Sequence, residues 1–154
     1  MAHKQPFGIV DVVLILVIVG LTAGLWYVIW SPGRQLARED DLKWESRSRL
    51  TALRTAQIEY FAAKGKYTAD VDSLLMFVRD SLPAQRIDSL FTKLYLTSFS
   101  FDSLRHTPKS LTPYTIAVDD TSAVPRYSIV DPDGFGYIGS LTNPDEHNRA
   151  SWEQ

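Results

Sequence analysis

The chain has 154 residues, 45% of them apolar and 22% charged, which suits one domain and excludes two of ordinary size. Its 16 Lys and Arg against 18 Asp and Glu give a net charge of −2, which argues against the basic face that nucleic-acid binding requires. The absence of Cys excludes disulfide scaffolds, thiolate metal sites and Cys nucleophiles, and His3, His106 and His147 lie far apart along the chain.

From Val12 to Trp30 run 19 consecutive uncharged residues, VVLILVIVGLTAGLWYVIW. As an α-helix they cover roughly 28 Å, close to the thickness of a bilayer hydrocarbon core. Phe7 to Val10 lengthen the span, and Asp11 is its single charge. A cleaved secretory signal has a shorter apolar region and small residues at its exit. This span instead ends in Trp26, Tyr27 and Trp30, side chains that anchor helices at a membrane interface. The pattern predicts a transmembrane helix over 7–30, a short N-terminal segment over 1–6, and a break at Ser31-Pro32-Gly33 opening a linker over 31–35.

Within the span, Gly20 and Gly24 form a G-x-x-x-G, the spacing that lets a second helix approach the backbone closely. The alternative is that glycine is simply common in membrane helices. Asp11 is either a buried charge that needs a partner or an interfacial one at headgroup depth beside Lys4.

From Leu36 to Lys64 the charges are mixed, and Leu50, Leu53, Ala56 or Gln57, and Tyr60 or Phe61 recur at spacings of three and four. That is one apolar stripe on an amphipathic helix. Glu39–Lys43 and Glu45–Arg49 are i,i+4 pairs in the favourable orientation, and Gly65 is the expected stop. A second helix starts near Asp70 as its cap and runs through Val78, and a third short one follows Pro83.

After about residue 94 the pattern alternates. Leu94 to Phe101, Tyr114 to Val118, Arg126 to Val130 and Tyr137 to Leu141 are rich in aromatic and β-branched residues, with turn clusters between them. Short connections favour an antiparallel meander. Thr142 to Gln154 is polar except for Trp152 and reads as an irregular tail. The fold expected is α+β: a membrane helix, an amphipathic helix, and short helices packed on a small antiparallel sheet. Residues 34–66 hold 8 basic and 5 acidic residues, whereas 67–154 hold 7 and 12, so the part nearest the membrane carries a net of +3. The triplet Asp-Ser-Leu at 72, 80, 88 and 102 is expected to serve helix starts or turns, because its flanks do not recur.

The N-terminus resembles that of type IV pilins and the pseudopilins of type II secretion. Lys4-Gln5-Pro6 precedes Phe7-Gly8-Ile9-Val10-Asp11, and VVLILVIVG runs on into a long apolar helix. Arg54-Thr55-Ala56-Gln57-Ile58-Glu59-Tyr60-Phe61 and Gly65-Lys66-Tyr67-Thr68 resemble the end of the pilin helix and its following turn. The resemblance covers residues 4–75 in motif and the rest in architecture alone. It implies a pilin-like α+β domain over 36–154 and a cytoplasmic N-terminus. Pro6 stands where the leader peptidase expects Gly, so cleavage should be blocked. Asp11 replaces the Glu that in pilins pairs with the amine freed on a neighbouring subunit, so it needs another partner. The Pro32-Gly33 break departs from the continuous pilin helix.

Topology signals conflict. Arg34, Arg38, Lys43, Arg47 and Arg49 on the C-terminal side outnumber Lys4, and the positive-inside bias would keep the domain in the cytoplasm. The resemblance implies the reverse, a domain outside a bacterial inner membrane, in the periplasm, and the positive-inside bias weakens for long translocated segments.

No Gly-rich phosphate loop, G-x-S-x-G or H-E-x-x-H is present, and no catalytic residue or small-molecule substrate is expected. Asp131-Pro132-Asp133-Gly134 could offer oxygen ligands to Ca²⁺ through Asp131 and Asp133, as in some pseudopilins, but the other positions of an EF-hand loop are missing and a plain turn is the simpler reading. The expectation is a non-catalytic, single-pass accessory subunit of a larger inner-membrane complex, respiratory or photosynthetic. Its partners would be integral membrane subunits and the lipid bilayer, and no cofactor is expected beyond contact with lipid or pigment. The alternative is a minor pilin or pseudopilin, shortened by six residues and starting at Phe7. A sensor module would need a pocket with convergent polar groups.

Overall fold

The structure is a computed structural model that describes residues 8–91 and 100–153, with the backbone alone at 30–35. His3, Lys4, Pro6 and Phe7, and most of the predicted strand Leu94 to Phe101, lie outside the described residues. The architecture is α+β, with one apolar helix at the N-terminus and a three-stranded antiparallel sheet. The chain divides into two compact units between Asp40 and Asp41.

Helix α1 runs from Ile9 to Lys64. Its first part, Ile9–Ile29, is long and apolar enough to cross a membrane, and none of it is buried inside the protein. Thr22 turns its hydroxyl back onto the Ile18 carbonyl at 2.7 Å, which satisfies that hydroxyl within the helix.

The predicted break at Ser31-Pro32-Gly33 is corrected by the structure, whose backbone stays helical through 31–35. A proline removes one N–H and crowds one carbonyl, a cost of about 3 kcal/mol. In a helix of 56 residues that local cost leaves the hydrogen-bonded turns on either side intact.

In the second unit, α1 supplies one wall of the core. Ser46, Leu50, Leu53, Ala56 and Gln57 are all buried, with Ala52, while Tyr60 and Phe61 pack at the margin. Where the periodicity left Ala56 or Gln57 open, both are buried. The helix ends as expected: Gly65 takes φ +71 and its N–H bonds the Phe61 carbonyl at 2.8 Å.

Helix α2, Val71–Ser81, begins at Asp70, whose carboxylate accepts the N–H groups of Asp72 and Ser73, each at 3.2 Å. It buries Leu74, Leu75 and Val78. Helix α3, Ala84–Leu90, follows Pro83, which stands at the cap position just before the first turn. Phe101, the last residue of the predicted strand, opens a 3-10 turn, Phe101–Arg105, that buries Leu104. The Asp-Ser-Leu triplets therefore fall at the start of α2, at the ends of α2 and α3, and in this turn. In all four the leucine packs on the core.

Strands β1 (Thr115–Asp119), β2 (Arg126–Val130) and β3 (Tyr137–Ile138) pair antiparallel in sequence order, with Ala117 opposite Ser128 and Ile129 opposite Ile138. The meander is as expected, but β3 is shorter than the run Tyr137 to Leu141. At Gly139 the backbone takes φ +76 and passes so close to β2 that a Cβ would stand 2.4 Å from the Tyr127 carbonyl oxygen. That conformation carries the chain out of the sheet. Ile138 instead bridges Ala150, so the tail returns to the sheet and buries Ala150 in the core.

Candidate functional site

Two sets of residues stand out, one in each unit. In the first, the apolar length of α1 leaves its side chains facing outward: Trp26 is 64% exposed and Tyr27 75%. The side chain of Trp30 lies outside the described atoms. Gly20 and Gly24 lie one turn apart on one face, and a Cβ at either would meet nothing within 4 Å. Asp11, expected to need a partner, has one in the backbone: its Oδ2 accepts the Gly8 N–H at 3.0 Å. Gly8 immediately precedes α1, so the carboxylate closes the reciprocal half of a capping box and sits where the helix dipole favours negative charge.

In the second unit, the Asp131-Pro132-Asp133-Gly134 loop forms a turn between β2 and β3. Asp131 is 3% exposed. Its Oδ1 accepts the Asp133 N–H at 2.6 Å, its backbone N–H bonds the Gly136 carbonyl at 3.0 Å, and its Oδ2 accepts the Ser46 hydroxyl from α1. The Ser46 oxygen also lies 3.0 Å from the Tyr114 hydroxyl. Burial raises the Tyr114 pKa well above the ordinary phenol value, with the Ser46 bond opposing it. Asp133 points elsewhere and accepts the Ser110 N–H at 3.1 Å. Its burial would raise its pKa, but hydrogen bonds from Thr107 and Ser110 and the nearby Lys109 hold it below the ordinary range. The two carboxylates proposed for Ca²⁺ thus serve different neighbours. Among the described residues, no group of three His, Asp or Glu is placed to hold a metal ion.

Arg49 runs alongside this cluster. It donates to the His106 carbonyl at 2.6 Å and pairs with Glu45 at 2.6 Å, the i,i+4 contact expected from the spacing. Arg47 donates to the Phe135 carbonyl at 3.1 Å and lies over the Trp152 ring. The two described histidines have different neighbours: His106 bridges Pro113 through its backbone, whereas His147 Nε2 lies 3.3 Å from the Tyr67 hydroxyl beside Tyr127.

A cleft of about 180 Å³ lies between α2 and the 3-10 turn, lined by Leu75, Met76, Arg79, Phe101, Asp102 and Arg105. Both its cations are matched within the protein, Arg79 by Asp80 and Arg105 by Asp72 and Asp102.

Ser46 and Tyr114 were not singled out from sequence, although Ser46, Leu50, Leu53 and Gln57 share one spacing of four, three and four. A polar residue inside an apolar stripe was the available signal. Comparison with protein-family models, with curated proteins and with solved structures gives no match.

Proposed function

We propose that the chain is a non-catalytic, single-pass structural subunit of an inner-membrane protein complex, with a pilin-type domain held outside the membrane. The observation that carries this reading is the span Ile9–Ile29, strongly apolar, uncharged except for Asp11 and not buried by the chain itself. Apolar surface of that extent needs a lipid or protein neighbour. Gly20 and Gly24 suit a protein neighbour on one face, because a bare backbone permits close helix–helix approach. Trp26, Tyr27 and Trp30 set the depth of the helix at one interface. The capping of Gly8 by Asp11 supports the same placement, since a carboxylate bonded to the helix's own N-terminus needs no partner from another subunit.

The test is purification of the full chain from its native membrane in a gentle detergent, with mass spectrometry of what co-elutes. The expected outcome is a fixed set of membrane proteins around a chain that still carries residues 1–6. Gly20→Leu combined with Gly24→Leu should dissociate that set while leaving the chain in the membrane. An unchanged complex in the double variant would sink the packing role.

One observation favours the second reading, a minor pilin or pseudopilin. The helix continues through Ser31-Pro32-Gly33 as a pilin helix does. That reading predicts a chain beginning at Phe7 and eluting with pilus or secretion components.

A further inference from the structure

Residues 148–153 lie along the outer edge of β3. The Gly139 N–H donates to the Arg149 carbonyl and the Ser151 N–H to the Tyr137 carbonyl, each at 2.9 Å. The Ser151 hydroxyl accepts the Tyr137 N–H at 3.1 Å. Because β3 is the last strand of the sheet, this segment covers backbone groups that another chain could otherwise pair with.

Little apolar surface holds the segment there. Of its residues only Ala150 and Trp152 are apolar. Ala150 is buried, and Trp152 is partly buried, with the Arg47 guanidinium over its ring and Gly136 against it. Polar bonds supply the rest. From α1, Arg54 Nη1 donates to the Asn148 carbonyl at 3.0 Å and to the two Glu153 carboxylate oxygens at 3.0 and 3.1 Å. Glu153 Oε2 in turn accepts the Ala150 N–H at 3.1 Å. One arginine thus grips both ends of the segment.

Closure also carries a cost. The Tyr127 hydroxyl and Asn148 Oδ1 are buried and find no hydrogen-bond partner among the described residues. Tyr127 lies at the root of the segment, its ring centroid 6.3 Å from that of His147. A buried polar group without a bond regains water when its cover lifts, so both atoms favour opening. Asn148 takes φ +61, a left-handed conformation that asparagine adopts more readily than most residues, and it is where the chain turns into the segment.

We infer that residues 148–153 form a strap that opens as a unit about Asn148, with Arg54 as its clasp, and so gates the outer edge of β3. A segment with few buried apolar contacts and solvent-facing hydrogen bonds opens locally, far more often than the whole domain unfolds. Closed, the strap keeps β3 from pairing with another chain. Open, it presents the N–H and carbonyl of Tyr137 and the N–H of Gly139 for pairing. The strap lies wholly in the second unit and uses no residue of the membrane span.

The test is amide hydrogen exchange of the full chain in detergent micelles, followed by NMR under conditions where the rate reports the opening equilibrium. The Gly139, Ala150 and Ser151 amides should share one protection factor, about 100-fold or more below that of the β1–β2 ladder. Asp131, whose N–H bonds the Gly136 carbonyl in the neighbouring turn, should not join them. Arg54→Ala should lower the three together by about tenfold, with far less effect on the ladder. Glu153→Gln should lower them by a smaller factor, and it serves in place of Arg54→Ala if that variant does not fold. Tyr127→Phe should raise them, because it removes a hydroxyl that gains water only on opening, a response that a merely packed segment would not give. Unrelated protection at the three amides, exchange only together with the ladder, no loss in the clasp variants, or no gain in Tyr127→Phe would each overturn the inference.

Discussion

Gln57 shows how one polar residue in a core can be worth keeping. It is fully buried, and its amide bonds both the carbonyl and the N–H of Thr68, at 2.6 and 3.2 Å, just beyond the helix end. Gln57→Leu would fill the same space but leave two backbone groups unpaired, so a loss of about 1–3 kcal/mol is expected in chemical denaturation. Gly139→Ala should be worse than Gly65→Ala, although both positions have positive φ. The first meets the Tyr127 carbonyl, while the second opens onto nothing within 4 Å and should cost only about 1 kcal/mol. Comparing the two melting temperatures separates close approach from conformational strain. Asp119 gives a prediction in pH. Hydrogen bonds from the Ser122 and Thr121 side chains and the Thr121 backbone bring its pKa down to about 2 from an ordinary 3.8. Its contribution is therefore present above the unfolded value and is lost as pH falls from about 4 towards 2. Carboxyl chemical shifts followed by NMR should show this midpoint, and Ser122→Ala with Thr121→Ala should move it up.

Among the elements, helix termini were the most legible features of the sequence because their chemistry is local. Asp70 caps α2 and Gly65 closes α1 through bonds spanning four residues or fewer. Asp70→Ala should cost about 1 kcal/mol, seen as a lower melting temperature and faster amide exchange at Asp72 and Ser73. Strand β2 matches its predicted bounds because its alternation is carried by buried Tyr127 and Ile129. Strand β3 does not, since nothing near Tyr137 announces that Gly139 will lie against Tyr127 on another strand. The continuous helix at Ser31-Pro32-Gly33 shows the opposite weighting: a local breaker was outweighed by helical sequence on both sides.

For the whole molecule, anchoring is the property most open to test. If Ile9–Ile29 spans a bilayer, the full chain should stay with the membrane pellet after alkaline carbonate washing and be released by detergent. Release by carbonate alone would show that the segment only lies on the surface. The sequence by itself determined the apolar span, the capped helices and the alternating strands, because each depends on neighbours within a turn or a strand. It also carried Asp131 as a turn residue, but not its tie to Ser46, 85 residues earlier. Tertiary structure alone decided the Ser46–Tyr114–Asp131 cluster and the return of Ala150 to Ile138. These arise where distant segments compete for the same hydrogen bonds and the same buried volume, and no spacing within one segment records the outcome of that competition.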